Sequence, residues 1–385
     1  MKRIFAFWIL LSCFCVQANG QINLVPNPSF EFFTSCPTTG AQIQLATPWV
    51  DPDAQSSDYF HTCNVGSVGV PQNICGYEVA QDGLGYAGLC SYLSNQFIQN
   101  YREFIEVALT DTLRSGKKYC VTFYVSLADS SEYAVSNISA YFSPNGGGTN
   151  IPNYLNYNPQ INNPSSNVIN DITGWTKISG TFLAVGNEKY ITIGNFNDDT
   201  TTNIMLVNPS APYAFSYLYV DNVSVYELAD CIAGTSSQIC PGDSVQLGIA
   251  PVAGVTYSWQ PTVGLSDSII SNPVARPITT TTYTITQTEC EVISTATITI
   301  TVKTDCDILP PLVIPSILIG NEMFKVSGLP PGSSLSVFDA RGRQVFLSAD
   351  YHNEFGSASV AAGTYIVWFT FPDGSEQKQK LCIVH

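Results

Sequence analysis

The chain is short of charge. Only 12% of its 385 residues are Asp, Glu, Lys or Arg, about half the usual share, and 30 acidic side chains face 15 basic ones for a net charge of −15. So few cations exclude nucleic acid as a partner, because phosphate binding needs a basic face. Histidine is scarcer still, with His61, His352 and His385 alone. No two cysteines form a C-x-x-C pair, which argues against a zinc site. No segment shows a convincing helical period, and after the first twenty residues no run approaches the roughly 20 apolar residues needed to span a bilayer. What remains is 45% hydrophobic residues with 28 Gly, 23 Pro and 20 Tyr. That is enough apolar matter for real cores, cut into short pieces by turn residues, and it predicts an all-β protein. Several compact units are expected at this length, since a domain usually takes about 100–200 residues.

Lys2 and Arg3 precede the apolar run Ile4 to Leu11, and the small-residue pattern Ala18-Asn19-Gly20 follows. This is the pattern of a secretory signal peptide over residues 1–20, with cleavage before Gln21, and it predicts an exported protein. Removing two basic and no acidic residues takes the mature charge from −15 to −17. Cys13 and Cys15 leave with the signal, so ten of the twelve cysteines remain in a compartment where disulfides persist.

From residue 21 to 228 the sequence is a series of short alternating runs between turns, such as Lys118 to Leu127 and Tyr190 to Phe196, which predicts antiparallel strands of a two-sheet sandwich. The opening NLVPNPSFE (Asn23 to Glu31), the GNF of Gly194 to Phe196 and the closing YVDNVSV (Tyr219 to Val225) resemble the ends of galactose-binding-like jelly rolls, the fold of many carbohydrate-binding modules. The resemblance implies that the first and last segments lie side by side. It also implies that Glu31 and Asp221 contribute oxygens to a structural calcium ion, a hard cation that takes six to eight such ligands.

Residues 229–306 carry ICPGDSVQL (Ile239 to Leu247), YSWQP (Tyr257 to Pro261) and NPVARPITTTTYTITQTEC (Asn272 to Cys290), which resemble bacterial Ig-like or PKD-like domains. Cys240, Trp259 and Cys290 fall in the order of an inter-sheet disulfide packed on a strand Trp. The resemblance therefore implies bridges Cys240–Cys290 and Cys231–Cys306. The first domain keeps an odd set, Cys36, Cys63, Cys75, Cys90 and Cys120, so at least one of these is free or pairs outside it, with Cys382 the thiol left over.

A Pro-rich linker is expected over 307–312. Beyond it, LSVFDARGRQVF (Leu335 to Phe346), AAGTYIVWF (Ala361 to Phe369) and the basic-then-apolar close Lys378 to Val384 resemble the C-terminal sorting domain of the type IX secretion system, in the form found in gliding-motility-associated proteins. The resemblance covers 313–385. It implies a small β-sandwich, passage through the outer membrane by way of the type IX translocon, and Gly342, Gly363, Tyr365 and Lys380 as sorting positions. The three units together resemble exported surface proteins of the Bacteroidetes.

Few segments carry chemistry. Gly83 to Gly88 spells G-x-G-x-x-G, but a strand rather than a helix follows, so it reads as a glycine-rich turn. Gly242-Asp243-Ser244 lacks the later D-x-x-H that a serine hydrolase needs. Glycoside hydrolysis asks only for two carboxylates about 5–9.5 Å apart. Glu31, Glu78, Glu103 and Glu106 are the candidates, although Glu103 and Glu106, three apart in a strand, point to opposite faces. They read better as solvated or ion-paired edges near Arg102. Trp49, Tyr59, Tyr77, Tyr86, Tyr92, Tyr154, Tyr157 and Trp175 are available as flat faces for sugar rings. The expected protein is a non-enzymatic, adhesin-like binder displayed on the cell surface or secreted, whose partner is an extracellular glycan or a surface protein. The alternatives are a structural or gliding-motility component, and a glycosidase or esterase whose site lies within 21–228.

Overall fold

The computed structural model describes residues 21–52, 55–147, 154–304 and 312–385. The expected signal peptide, Cys306 and most of the expected 307–312 linker lie outside them. The described chain is all-β, with two short 3₁₀ turns, and divides into two compact units, one ending at Val302 and the other running from Lys303 to His385. Among the described residues no helix is long and apolar enough to cross a membrane.

The first unit opens with two packed sheets. Strands β1 (Asp58–His61), β2 (Gly85–Leu93), β3 (Phe104–Ala108), β4 (Lys118–Leu127), β5 (Ser139–Ser143), β6 (Ile161–Asn162), β7 (Thr176–Leu183), β8 (Tyr190–Gly194) and β9 (Phe215–Glu227) build them. One sheet has the order β1-β2-β9-β4-β7 and the other β3-β8-β5-β6, all antiparallel. Alternation sends Val121, Phe123 and Val125 of β4 into the core against Ile191 and Ile193 of β8 and Ile105 and Val107 of β3. The opening segment runs beside β9 without forming a regular strand. Leu24 donates its N–H to the Val225 carbonyl at 2.7 Å, and Val223 donates to that of Pro28 at 2.9 Å.

A bulge interrupts β9 between Asp221 and Ser224, where Asn222 takes φ 48°. The extra residue shifts the alternation, so Leu218 and Val220 face the core before it and Val223 and Val225 after it. Asp221 is thereby directed to the outer face of the sheet, beneath the segment 81–85.

The Ig-like part of the same unit is a four-stranded sheet of β10 (Ser237–Ile239), β11 (Thr256–Gln260), β12 (Thr281–Glu289) and β13 (Val292–Val302), in the order β10-β13-β12-β11, with β10 parallel to β13. Trp259 is fully buried in its core and donates Nε1–H to the Ile270 carbonyl at 2.9 Å. The cysteines depart from the expectation. Cys290 is bonded to Cys120 of β4, not to Cys240, and a second bridge joins Cys36 to Cys63. Cys240 is disulfide-bonded too, while Cys231 is a free thiol, so the expected Cys231–Cys306 bridge does not form. The reason is the position of Cys290. It sits with Glu291 at the tip of the β12–β13 hairpin, both at positive φ (49° and 62°), and so leaves the core that holds Trp259 and reaches the outer face of the jelly roll. Of the five cysteines of the first sandwich, Cys36 and Cys63 pair with each other, Cys120 pairs with the Ig-like part, and Cys75 and Cys90 are buried free thiols; Cys382 is free as well.

The second unit is a five-stranded sheet of β14 (Ile317–Ile319), β15 (Ser334–Phe338), β16 (Gln344–Ser348), β17 (Gly363–Thr370) and β18 (Glu376–Val384), in the order β14-β18-β17-β15-β16. Its core gathers Phe324, Leu335, Val337, Phe355, Val367, Phe369 and Leu381. Gly342 lies in the β15–β16 turn, whose Asp339 accepts from the N–H groups of Arg341 and Arg343. Gly363 opens β17, Tyr365 is buried with its hydroxyl on the Ala361 carbonyl at 2.7 Å, and Lys380 is exposed on β18.

Candidate functional site

The inward alternation of the four-stranded sheet leaves a second set of side chains on its outer face. Glu106 of β3, Thr192 of β8 and Tyr141 of β5 stand in one row across it. Glu106 is only 4% exposed, yet it has no ion-pair partner among the described residues. One carboxylate oxygen accepts from the Thr192 hydroxyl at 2.7 Å and the other from the Gly147 N–H at 2.7 Å, which folds the loop after β5 back over the sheet. The Tyr157 ring stacks on that of Tyr141, with centroids 4.6 Å apart and planes at 27°. Phe196 packs beside them and against Phe104. A cavity of about 240 Å³ opens between Glu106, Tyr141, Asn145 and Thr192. Tyr157 also lines a second cavity, of about 480 Å³, bounded by Tyr154, Asn156, Asn158, Asn197 and Asp198. The two form a groove with aromatic faces and amide and carboxylate edges.

The loop 195–202 that forms one rim is held from below. Asn195, fully buried, donates to the Ser91 carbonyl at 2.8 Å and to the Thr202 hydroxyl at 3.0 Å. Arg102, also fully buried, pairs with Asp199 at 3.0 Å, donates to Thr202 Oγ1 at 2.9 Å and lies over the Tyr92 ring. Asp198 accepts three bonds on Oδ1, from Thr200 Oγ1, Thr201 N–H and Thr201 Oγ1. Led by the Thr201 hydroxyl, these bonds hold its carboxyl below the usual range. Asp198 itself lines the larger cavity.

The residues expected to bind calcium lie elsewhere. Asp221 is fully buried, and its Oδ2 accepts from Gln81 N–H at 2.9 Å and Asp82 N–H at 3.0 Å. Glu31 accepts from Leu84 N–H at 2.6 Å and Gly85 N–H at 2.9 Å. The two ends of the domain thus grip one short segment, 81–85. Gly83 in its middle has φ 71°, and a Cβ there would run into the Glu31 carboxylate. Burial, only partly offset by these N–H donors, pushes the Asp221 carboxyl up to about 8. The donors on hand are hard oxygens, which suit calcium. No group of three or more His, Cys, Asp or Glu side chains is placed to hold a metal among the described residues, so a cation here would need backbone or amide oxygens as well.

The remaining sequence candidates scatter. Trp49, Tyr59 and Tyr86 are fully buried structural rings, whereas Tyr154 and Tyr157 line the groove. Glu103 and Glu106 do point to opposite faces, but both are buried rather than solvated. Glu103 accepts from Cys90 N–H at 2.7 Å and from the Tyr101 hydroxyl at 2.8 Å, and burial raises its carboxyl above the ordinary value. Arg102 serves Asp199 instead of either. Tyr141, Asp198 and the amides of Asn156 and Asn158 were missed. Tyr141 sits in ordinary strand text, and only the alternation of Ala140 and Phe142 into the core marks it as outward.

The chain matches no protein-family model and no curated protein. Among solved structures it is similar to a CBM22 xylan-binding domain from Paenibacillus barcinonensis, at 13% identity over 55% of this chain and 99% of that one, with a TM-score of 0.31. It is also similar to a cleaved adhesin domain of Lys-gingipain from Porphyromonas gingivalis, at 17% identity over 52% and 96%, with a TM-score of 0.29. A second adhesin domain of the same gingipain gives 14%, 52%, 97% and 0.27.

Proposed function

We propose that this is an exported, non-catalytic binding protein that holds an extracellular glycan in the groove of the β3-β8-β5-β6 sheet. The observation that carries the reading is the groove itself, where the stacked Tyr141 and Tyr157 rings adjoin open amides and the Asp198 carboxylate. Sugar rings pack their C–H faces on aromatic surfaces and spend their hydroxyls on amide and carboxylate groups. The Cys36–Cys63 and Cys120–Cys290 bridges accord with an oxidising, extracellular address. On this reading calcium, held with Glu31 and Asp221, clips the ends of the jelly roll together, and residues 313–385 deliver the protein to the type IX translocon.

The full mature chain, 21–385, on a polysaccharide and glycan array tests the binding. Affinity for the glycan should fall about 2- to 13-fold on Tyr157→Ala, the range of an aromatic contact worth roughly 0.5–1.5 kcal/mol. Retention of a surface protein with no glycan bound would favour the structural or motility reading. Turnover of a bound polysaccharide would replace the binder with a glycosidase.

A further inference from the structure

The groove is selective by charge. Its two acidic side chains are Glu106 on the floor and Asp198 on the rim, and no Lys or Arg lines either cavity. Arg102, behind the loop, is fully buried and already paired with Asp199. Glu106 is spent on Thr192 and Gly147, so it offers little to a ligand. What faces outward is neutral or accepting. Asn156 and Asn158 are exposed and make no hydrogen bond to described residues, leaving amides free both to donate and to accept. The Asp198 carboxylate lines the larger cavity and can only accept, and its position is fixed because Oδ1 is held by three donors.

We propose, resting on the glycan-binding reading, that the groove takes uncharged glycan chains and rejects anionic ones such as uronates, sulfated chains and sialosides. Neutral hydroxyls donate to the Asp198 carboxylate and exchange bonds with the amides. A carboxylate or sulfate on the ligand finds no Lys or Arg in the lining of either cavity and approaches a carboxylate instead, within a protein of net charge −15. The recognising bonds form between an ion and neutral groups, so binding also changes little with salt.

The test is titration of the full mature chain with neutral polymers (mannan, xylan, galactan, β-glucan) and anionic ones (alginate, polygalacturonate, heparan sulfate, a sialylated glycan). Neutral chains alone should bind, with affinity changing less than about 2-fold between 50 and 500 mM NaCl. Asp198→Asn keeps an oxygen for Thr200 and Thr201 but loses the ionic acceptor, and should weaken neutral binding roughly 10-fold or more. Asp198→Lys should admit an anionic chain that the native protein refuses. Native binding to anionic polymers, with neutral ones ignored, overturns the charge selection while leaving a glycan binder. Absence of binding to every polymer overturns both. Unchanged affinity of Asp198→Asn for a neutral chain, with its melting temperature also unchanged, removes Asp198 from the contact and overturns its role.

Discussion

Single side chains in this protein act mostly by what they accept. Asp221 receives backbone N–H bonds from Gln81, Asp82 and Asn222 while fully buried, so replacing it is costly with or without a metal. Each buried donor left unpaired costs about 1–3 kcal/mol. Loss of stability in a variant therefore does not reveal calcium, but the response to a chelator does. If a cation joins Glu31 and Asp221, native protein in calcium at a hundredfold excess over Kd is stabilised by about 2.7 kcal/mol, and a chelator removes that increment. Asp221→Asn should melt lower than native protein and show no further change with chelator. Equal native melting in calcium and in chelator would dismiss the metal and leave Asp221 and Glu31 as clamps on the 81–85 segment.

Among elements, the β12–β13 hairpin matters most, because its tip joins two sandwiches. A two-residue tip with both φ values positive normally asks for Asn-Gly, and here it holds Cys290 and Glu291. The Cys120–Cys290 bond closes 170 residues, and Glu289 beside it accepts from the Ala229 N–H at 3.0 Å and from the Gln21 side chain. The Ig-like part is thus fastened to the jelly roll. Cys290→Ser should lower the stability of the first unit by about 2–4 kcal/mol in denaturant titration. It should also speed proteolysis near 229–236, whereas an unchanged digestion pattern would mean that the noncovalent contacts suffice. This element also marks how far the sequence could be read. Strand existence and the all-β class were legible because alternation and turn residues are local signals. The adjacency of the domain ends and the burial of Trp259 followed from motif text. The disulfide partners were not legible, because the tip carries no Gly, Asn or Pro to announce a turn, and Cys290 therefore read as the end of a core strand. The groove was half legible. Tyr154 and Tyr157 stood out in turn-rich text, while the row Glu106-Thr192-Tyr141 exists only through the register of three strands far apart in sequence.

At the scale of the whole molecule, the division at Val302 and Lys303 allows the proposed address to be tested apart from the proposed binder. The second unit fills its own core with Phe324, Phe355, Phe369 and Leu381, and the first fills its cores without these residues. Removing 313–385 therefore takes away the second core and leaves those of the first unit whole, and the first unit of the shortened chain should keep its melting transition within about 0.5 kcal/mol of the full chain, as for changes remote from a packed core. If 313–385 is the folded address read by a type IX translocon, the shortened chain should collect in the periplasm with its Cys36–Cys63 and Cys120–Cys290 bridges formed and its groove intact. Cell fractionation with surface labelling reads the location, and a melt of the extracted protein shows that retention is not misfolding. A shortened chain that melts normally and still reaches the surface would show that the address lies elsewhere, and the second unit would then need a role of its own.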